Sequence, residues 1–225
     1  MNREEYFGGW LKVIDLPILD RVTGILDKLY PVVPVCPQKK DVFRAFRLCK
    51  YEDLKVVMIG QDPYPQKGVA TGILFGNPSN TPEERISPSL KVIREAVLNP
   101  EVPKGPVRFD ISMESWAHQG VLMINSALTV EMNRIGSHVM YWREFLCKLL
   151  MNLSRYSPGL IYVLYGNQAK TFRPYINQNN KVFEVPHPAY FARIGQRFKT
   201  TLFDDINVIL REKNNTQINW YDKVL

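Results

Sequence analysis

Four consecutive apolar residues, Val56-Val57-Met58-Ile59, run directly into Gly60-Gln61-Asp62-Pro63-Tyr64-Pro65. This junction constrains the fold more than any other stretch of the chain. An uninterrupted apolar run of this length reads as a strand buried on both faces, which belongs in a parallel sheet covered by helices. Glycine and two prolines then force the backbone out of the sheet. A carboxylate, an amide and an aromatic ring are therefore delivered together at a strand exit by a stiff turn. In open α/β sheets that edge is where ligands bind.

The rest of the chain repeats the pattern. Apolar runs at 121–124, 160–165 and 182–185 read as three more strands. Helical periodicity lies between and around them. Leu19, Val22, Ile25, Leu26 and Leu29 share one face, as do Leu90, Ile93 and Val97. Trp142, Phe145, Leu146, Leu149, Leu150 and Leu153 form a longer stripe, and Phe203, Ile206, Ile209 and Leu210 a final one. Strands separated by helices predict an α/β fold, with a central four-stranded, mainly parallel sheet flanked by helices on both faces. The segments 31–37 and 77–88 read as loops rather than domain joints, so one domain over 1–225 is expected. If the strands are parallel, Gln61, Asp62 and Tyr64, then Asn125, then Gly166-Asn167, then His187 all emerge at one edge and can share a cleft.

Composition narrows the classes. The 225 residues carry a net charge of +7, which is compatible with a nucleic-acid partner. Three scattered cysteines argue against a disulfide framework and for a reducing, cytoplasmic setting, or a nuclear or viral one outside bacteria. No C-x-x-C or H-E-x-x-H occurs, and the three histidines are scattered, so no structural metal is expected. No stretch approaches the roughly 18 apolar residues of a membrane span. Glu4, Glu5, Asp15 and Asp20 spoil a signal-peptide reading.

At these residues the chain resembles the family-1 uracil-DNA glycosylases. The resemblance runs from about Lys55 to Trp220 and rests on motifs in order: Gly60-Gln61-Asp62-Pro63-Tyr64, Phe75 fourteen residues after Gln61, Ser87-Pro88-Ser89-Leu90, and Glu114-Ser115-Trp116-Ala117. Gln119-Gly120-Val121-Leu122, Asn125 with Leu128-Thr129-Val130, Ser137-His138, His187-Pro188 and Ile218-Asn219-Trp220 complete it. The resemblance implies hydrolysis of the bond between uracil and deoxyribose in single- or double-stranded DNA by a monomeric enzyme without cofactor. A DNA-mimicking protein inhibitor is an implied partner. No lysine is placed as a Schiff-base nucleophile, so strand-cleaving lyase activity is not expected.

The residue roles follow from the same resemblance. Asp62 holds the attacking water and His187 supports the departing base. Asn125 reads the pyrimidine edge, Phe75 stacks on the ring, and Tyr64 stands where thymine carries its methyl; Gln61 joins them in substrate binding. Ser87, Pro88, Ser89, Gly166, Asn167, Phe191 and Arg193 are implied DNA contacts, and His138 a residue behind the site.

Three departures stand out. Pro65 replaces a usual His beside the water site, Asn167 a usual Ser, and Ala189-Tyr190-Phe191 a usual Ser-Pro-Leu. Phe191 aligns with the Leu that fills the space vacated by the extruded base. Two rival readings remain at this stage. One is a DNA-docking subunit that keeps the fold, against which intact Asp62, Asn125 and His187 argue. The other is a nucleotide-binding α/β enzyme, which would need G-x-G-x-x-G or G-x-x-x-x-G-K, and neither is present. An iron–sulfur glycosylase would need more cysteines than these three.

Overall fold

The computed structural model describes residues 3–101 and 105–224. Its central sheet has four strands: β1 (Val56–Gly60), β2 (Val121–Asn125), β3 (Ile161–Tyr165) and β4 (Lys181–Val185). They lie in the order β2-β1-β3-β4, and every pairing is parallel. Each residue of β1, β2 and β3 is buried, as expected of apolar runs covered on two faces. The edge strand β4 differs. Val182, Phe183 and Val185 are only half-buried, while Lys181 and Glu184 face solvent. Charges on an exposed edge also discourage pairing with another chain.

Five longer helices surround the sheet: α1 (Leu16–Leu29), α2 (Pro88–Leu98), α3 (Val139–Tyr156), α4 (Pro188–Ile194) and α5 (Leu202–Asn214). Their starts are legible. Asp15 caps α1 by accepting from the Ile18 N–H at 3.2 Å, with Pro17 in the first turn. Pro88 occupies the first turn of α2, and Asn99 ends it in a left-handed conformation. The apolar stripes read from the sequence face inward, with α1 packed on α3 and α2 on α4. Ile25, Leu29 and Ile209 lie at the margins of their stripes and are half-buried.

Two buried tryptophans tie loops to this frame. The Trp116 indole donates to the Trp220 carbonyl at 3.0 Å and packs edge-on against Trp220 and Phe203. The Trp142 indole on α3 donates to Thr129 Oγ1 at 2.7 Å, and the same hydroxyl pairs with His138 Nδ1 at 2.9 Å. All three residues are buried, so the loop after β2 is pinned to α3 by a polar knot that water cannot replace. Thr129→Val keeps the shape but leaves two buried nitrogens unpaired. It is expected to cost about 1–3 kcal/mol of stability, read as a lower urea midpoint at unchanged slope.

Candidate active site

Parallel register brings the site together. Gly60 at the end of β1 pairs with Asn125 at the end of β2, so the two exits leave the sheet side by side. Three hydrogen bonds then join the exits. The Ser126 N–H donates to the Gly60 carbonyl at 2.9 Å, and the Ser126 hydroxyl and Ala127 N–H donate to the Gln61 carbonyl at 2.9 and 3.0 Å. A Cβ at Gly60 would lie 2.8 Å from Asn125 Oδ1 and 2.4 Å from Leu74 Cδ1, so any side chain there would displace the Asn125 amide and Leu74.

Beyond these exits lies a cleft of about 390 Å³. It is lined by Gln61, Asp62, Tyr64 and Pro65 from the first exit, Asn125 and Ile135 from the second, and His187, Tyr190 and Arg193 from the fourth. The segment 70–75 closes it from the side, docked by the Leu74 N–H donating to the Met123 carbonyl of β2 at 3.1 Å.

Asp62 is held through one oxygen. Its Oδ2 accepts from the Gly136 N–H at 2.9 Å and from Gln61 Nε2 at 3.0 Å. Its Oδ1 is buried with no protein partner. Asn125 Oδ1 is likewise buried and unpartnered. Buried polar atoms are nearly always paired, so two orphans in one cleft mark a place prepared for a ligand.

His187 stands at the N-terminus of α4, where its Nδ1 accepts from the Ala189 N–H at 3.2 Å. A backbone N–H can only donate, so Nδ1 carries no proton and the hydrogen of the neutral ring sits on Nε2. Burial pushes the imidazole below its ordinary 6.5, which favours that neutral form at pH 7.

Phe75 lines the same cleft with a positive φ of 64°, which is uncommon for an aromatic residue and common at functional sites. Its ring meets Tyr165 and His187 edge-on, at 5.1 and 5.7 Å between centroids. The Tyr64 hydroxyl donates to the Phe75 carbonyl at 3.2 Å, which fixes the two rings relative to each other.

Several of the implied DNA contacts lie outside the cleft wall. Of the two serines at the start of α2, Ser89 in the first turn reaches the cleft. Ser87 is tied back to Asn77, whose Oδ1 accepts from the Ser87 N–H at 2.7 Å and whose Nδ2 donates to the Ser87 hydroxyl at 2.8 Å. Pro88 is exposed outside the cleft. The third strand exit does not line the pocket either. Gly166, at φ 79°, packs behind His187, where a Cβ would stand 2.9 Å from the His187 Cβ; Asn167 is exposed. His138 belongs to the Thr129 knot and not to the cleft wall. Phe191 turns inward and stacks on Phe198 at 4.9 Å.

Pro65 acts through its backbone. Its carbonyl accepts from the Asn133 N–H at 3.1 Å, docking the loop whose Gly136 grips Asp62. Gly136, Ile135 and Asn77 are the partners that sequence reasoning missed. Each sits in a polar or turn-like stretch whose role depends on a contact distant along the chain.

With this geometry in place, likeness to known proteins decides the family. The sequence profile described as "Uracil DNA glycosylase superfamily" matches residues 46–211. The chain belongs to the uracil-DNA glycosylase superfamily. A uracil-DNA glycosylase of Mesomycoplasma hyopneumoniae is 35% identical over 201 residues, covering 87% of both chains. One from Aliarcobacter butzleri is 32% identical over 207 residues, covering 91% of this chain and 94% of that protein. Among solved structures, the mimivirus UNG Y322F variant in complex with UGI superposes with a TM-score of 0.77 at 25% identity, over 90% of this chain and 82% of that one. In each case the likeness extends over most of this chain.

The Asp62 carboxyl carries a stability signature. Burial raises it above its ordinary 3.8, against the opposing hydrogen bonds from Gly136 and Gln61. A carboxyl with a higher pKa folded than unfolded favours the fold while protonated. That contribution is complete below pH 3.8 and is lost as pH rises through the folded value. Asp62→Asn, which keeps the shape without the charge, is expected to melt above the parent at pH 7. The difference should vanish below pH 3.8. Melting curves across a pH series check this, and a lower Tm at pH 7 would contradict it.

Proposed function

We propose that the chain hydrolyses the N-glycosidic bond of deoxyuridine in DNA, releasing uracil and leaving an abasic site, the first step of base-excision repair. The observation that carries this reading is the pair of orphaned buried oxygens, Asp62 Oδ1 and Asn125 Oδ1, sharing a cleft with an Nε2-protonated His187.

A base within a duplex is out of reach, so the nucleotide must be everted into the cleft. Phe75 then stacks on the pyrimidine, a contact worth about 1–3 kcal/mol. The Asn125 amide offers an acceptor to N3–H and a donor to O4. Cytosine presents the opposite pair and would leave the buried amide mismatched. Tyr64, locked to Phe75, walls off the C5 side and rejects a methyl by bulk, because attraction alone discriminates poorly by one methyl group.

Cleavage breaks the bond between C1′ and N1, and the electron pair leaves with uracil. Positive charge develops on the sugar, and the Asp62 carboxylate stabilises it while its free Oδ1 orients the attacking water. The water oxygen forms the new bond to C1′, and its proton passes towards the carboxylate. His187 donates a hydrogen bond from Nε2 to the uracil O2 as that oxygen becomes anionic. A neutral imidazole suits this task, because the leaving group is supported without a full proton transfer. Ser89 and Arg193, with the +7 net charge, would attract the phosphate backbone. The proposed partners are single- and double-stranded uracil-containing DNA and a protein inhibitor that mimics DNA. The enzyme is proposed to act as a monomeric single domain.

Gel assay of uracil release, with alkaline cleavage of the abasic product, tests the reading. The parent chain is expected to act on both strand forms, and Asp62→Asn to lose at least about 10²-fold in kcat. No release by the parent would refute it. Protonation of Asp62 removes the anion, so the acid limb of kcat/KM should lie above pH 3.8. Asn125→Asp should erode the preference for uracil over cytosine, measured as the ratio of the two kcat/KM values. An intact ratio would remove Asn125 from its assigned role.

A further inference from the structure

We infer that Tyr190, and not Phe191, is the side chain that enters the gap left in a duplex when the target nucleotide is everted, with Ile135 supporting the opposite flank. The inference rests on the uracil-site reading above and concerns how that site engages double strands.

The helix α4 decides between the two neighbouring rings. Along its roughly two turns, Tyr190 has Arg193 and Ile194 as its third and fourth neighbours, whereas Phe191 lies about 100° around the helix from Tyr190. Tyr190 is 47% exposed and Ile194 41%. Tyr190 and Arg193 line the cleft, and Phe191 does not. Phe191 is instead stacked on buried Phe198 with 27° between ring planes and packs against the core. To reach a base stack it would have to abandon that contact and rotate or unwind a helix packed on α2. Tyr190 needs only a side-chain rotation.

The second flank has its own exposed apolar group. Ile135 is 70% exposed although it borders the cleft, and it precedes Gly136, whose N–H holds Asp62. Ile135 follows β2 and Tyr190 follows β4, the two outermost strands of the sheet. The cleft mouth thus carries one exposed apolar side chain from each side, with the Arg193 cation beside Tyr190. Solvent-facing apolar groups at a cleft mouth gain nothing within the free protein. Against a duplex, apolar wedges enter base steps, and an aromatic ring can replace the stacking that eversion removes.

The test compares kcat/KM on uracil-containing duplex and single-stranded oligonucleotides for Tyr190→Ala, Tyr190→Phe, Phe191→Ala and Ile135→Ala. Tyr190→Ala is expected to lower the duplex-to-single-strand ratio at least ten-fold. Tyr190→Phe should restore it, because the ring and not the hydroxyl fills the gap. Ile135→Ala should lower the ratio by a smaller factor. Phe191→Ala should lower Tm and slow both substrates in parallel, with the ratio within two-fold of the parent. A 2-aminopurine beside the uracil should show the fluorescence rise of unstacking with the parent and a diminished rise with Tyr190→Ala. A ratio unmoved by Tyr190→Ala, or one collapsed by Phe191→Ala, overturns the inference while leaving the glycosylase reading in place. A parent chain inactive on both strand forms overturns that reading and this one with it.

Discussion

The side-by-side exit of β1 and β2 is the constraint on which the site depends. Gly60 pairs with Asn125, and the carbonyls of Gly60 and Gln61 take three hydrogen bonds from Ser126 and Ala127. Strands buried on both faces are held in register by the close packing of their side chains against the flanking helices. Asp62 and Asn125 therefore inherit the precision of the sheet, although both lie at the start of loops. The absence of a side chain at Gly60 lets the Asn125 amide approach the first strand closely enough to share its pocket.

Around that fixed pair the protein leaves unfavourable features in place. Two buried oxygens lack partners, one carboxyl is desolvated, and Phe75 adopts a backbone conformation that few aromatic residues use. Each of these costs stability in the free protein, and each is sustained by neighbours that allow no relaxation. Gly136 and Gln61 hold one side of Asp62, the Leu74 amide anchors the segment carrying Phe75, and Tyr64 caps that segment from below. Local disagreement with structural preference gathers at the cleft, although β3 also buries one unpartnered hydroxyl, that of Tyr162.

Much of this was legible in the chain. The apolar runs located all four strands to within one residue, because a buried parallel strand leaves a composition that loops cannot imitate. Asp62, Asn125 and His187 could be read as one cluster because each follows such a run. The third exit parts from the others: Gly166-Asn167 leaves the same edge but turns behind His187 and does not reach the cleft wall, and sequence carries no sign of which way a turn folds. Ser87 and Ser89 were indistinguishable in one dimension. The partner that separates them, Asn77, sits in a stretch that reads as a simple turn. Phe191 and Tyr190 are adjacent aromatics, and only the phase of a short helix assigns one to the core and the other to the surface.

The link between the Ala189 amide and His187 Nδ1 has a wider consequence. The tautomer of the imidazole is set by main chain, which every residue except proline provides at that position. The side chain at 189 is thereby released from any duty towards the ring. Evolution can exchange it to suit a different grip on the substrate without retuning the proton that faces the base, so the two properties can drift independently.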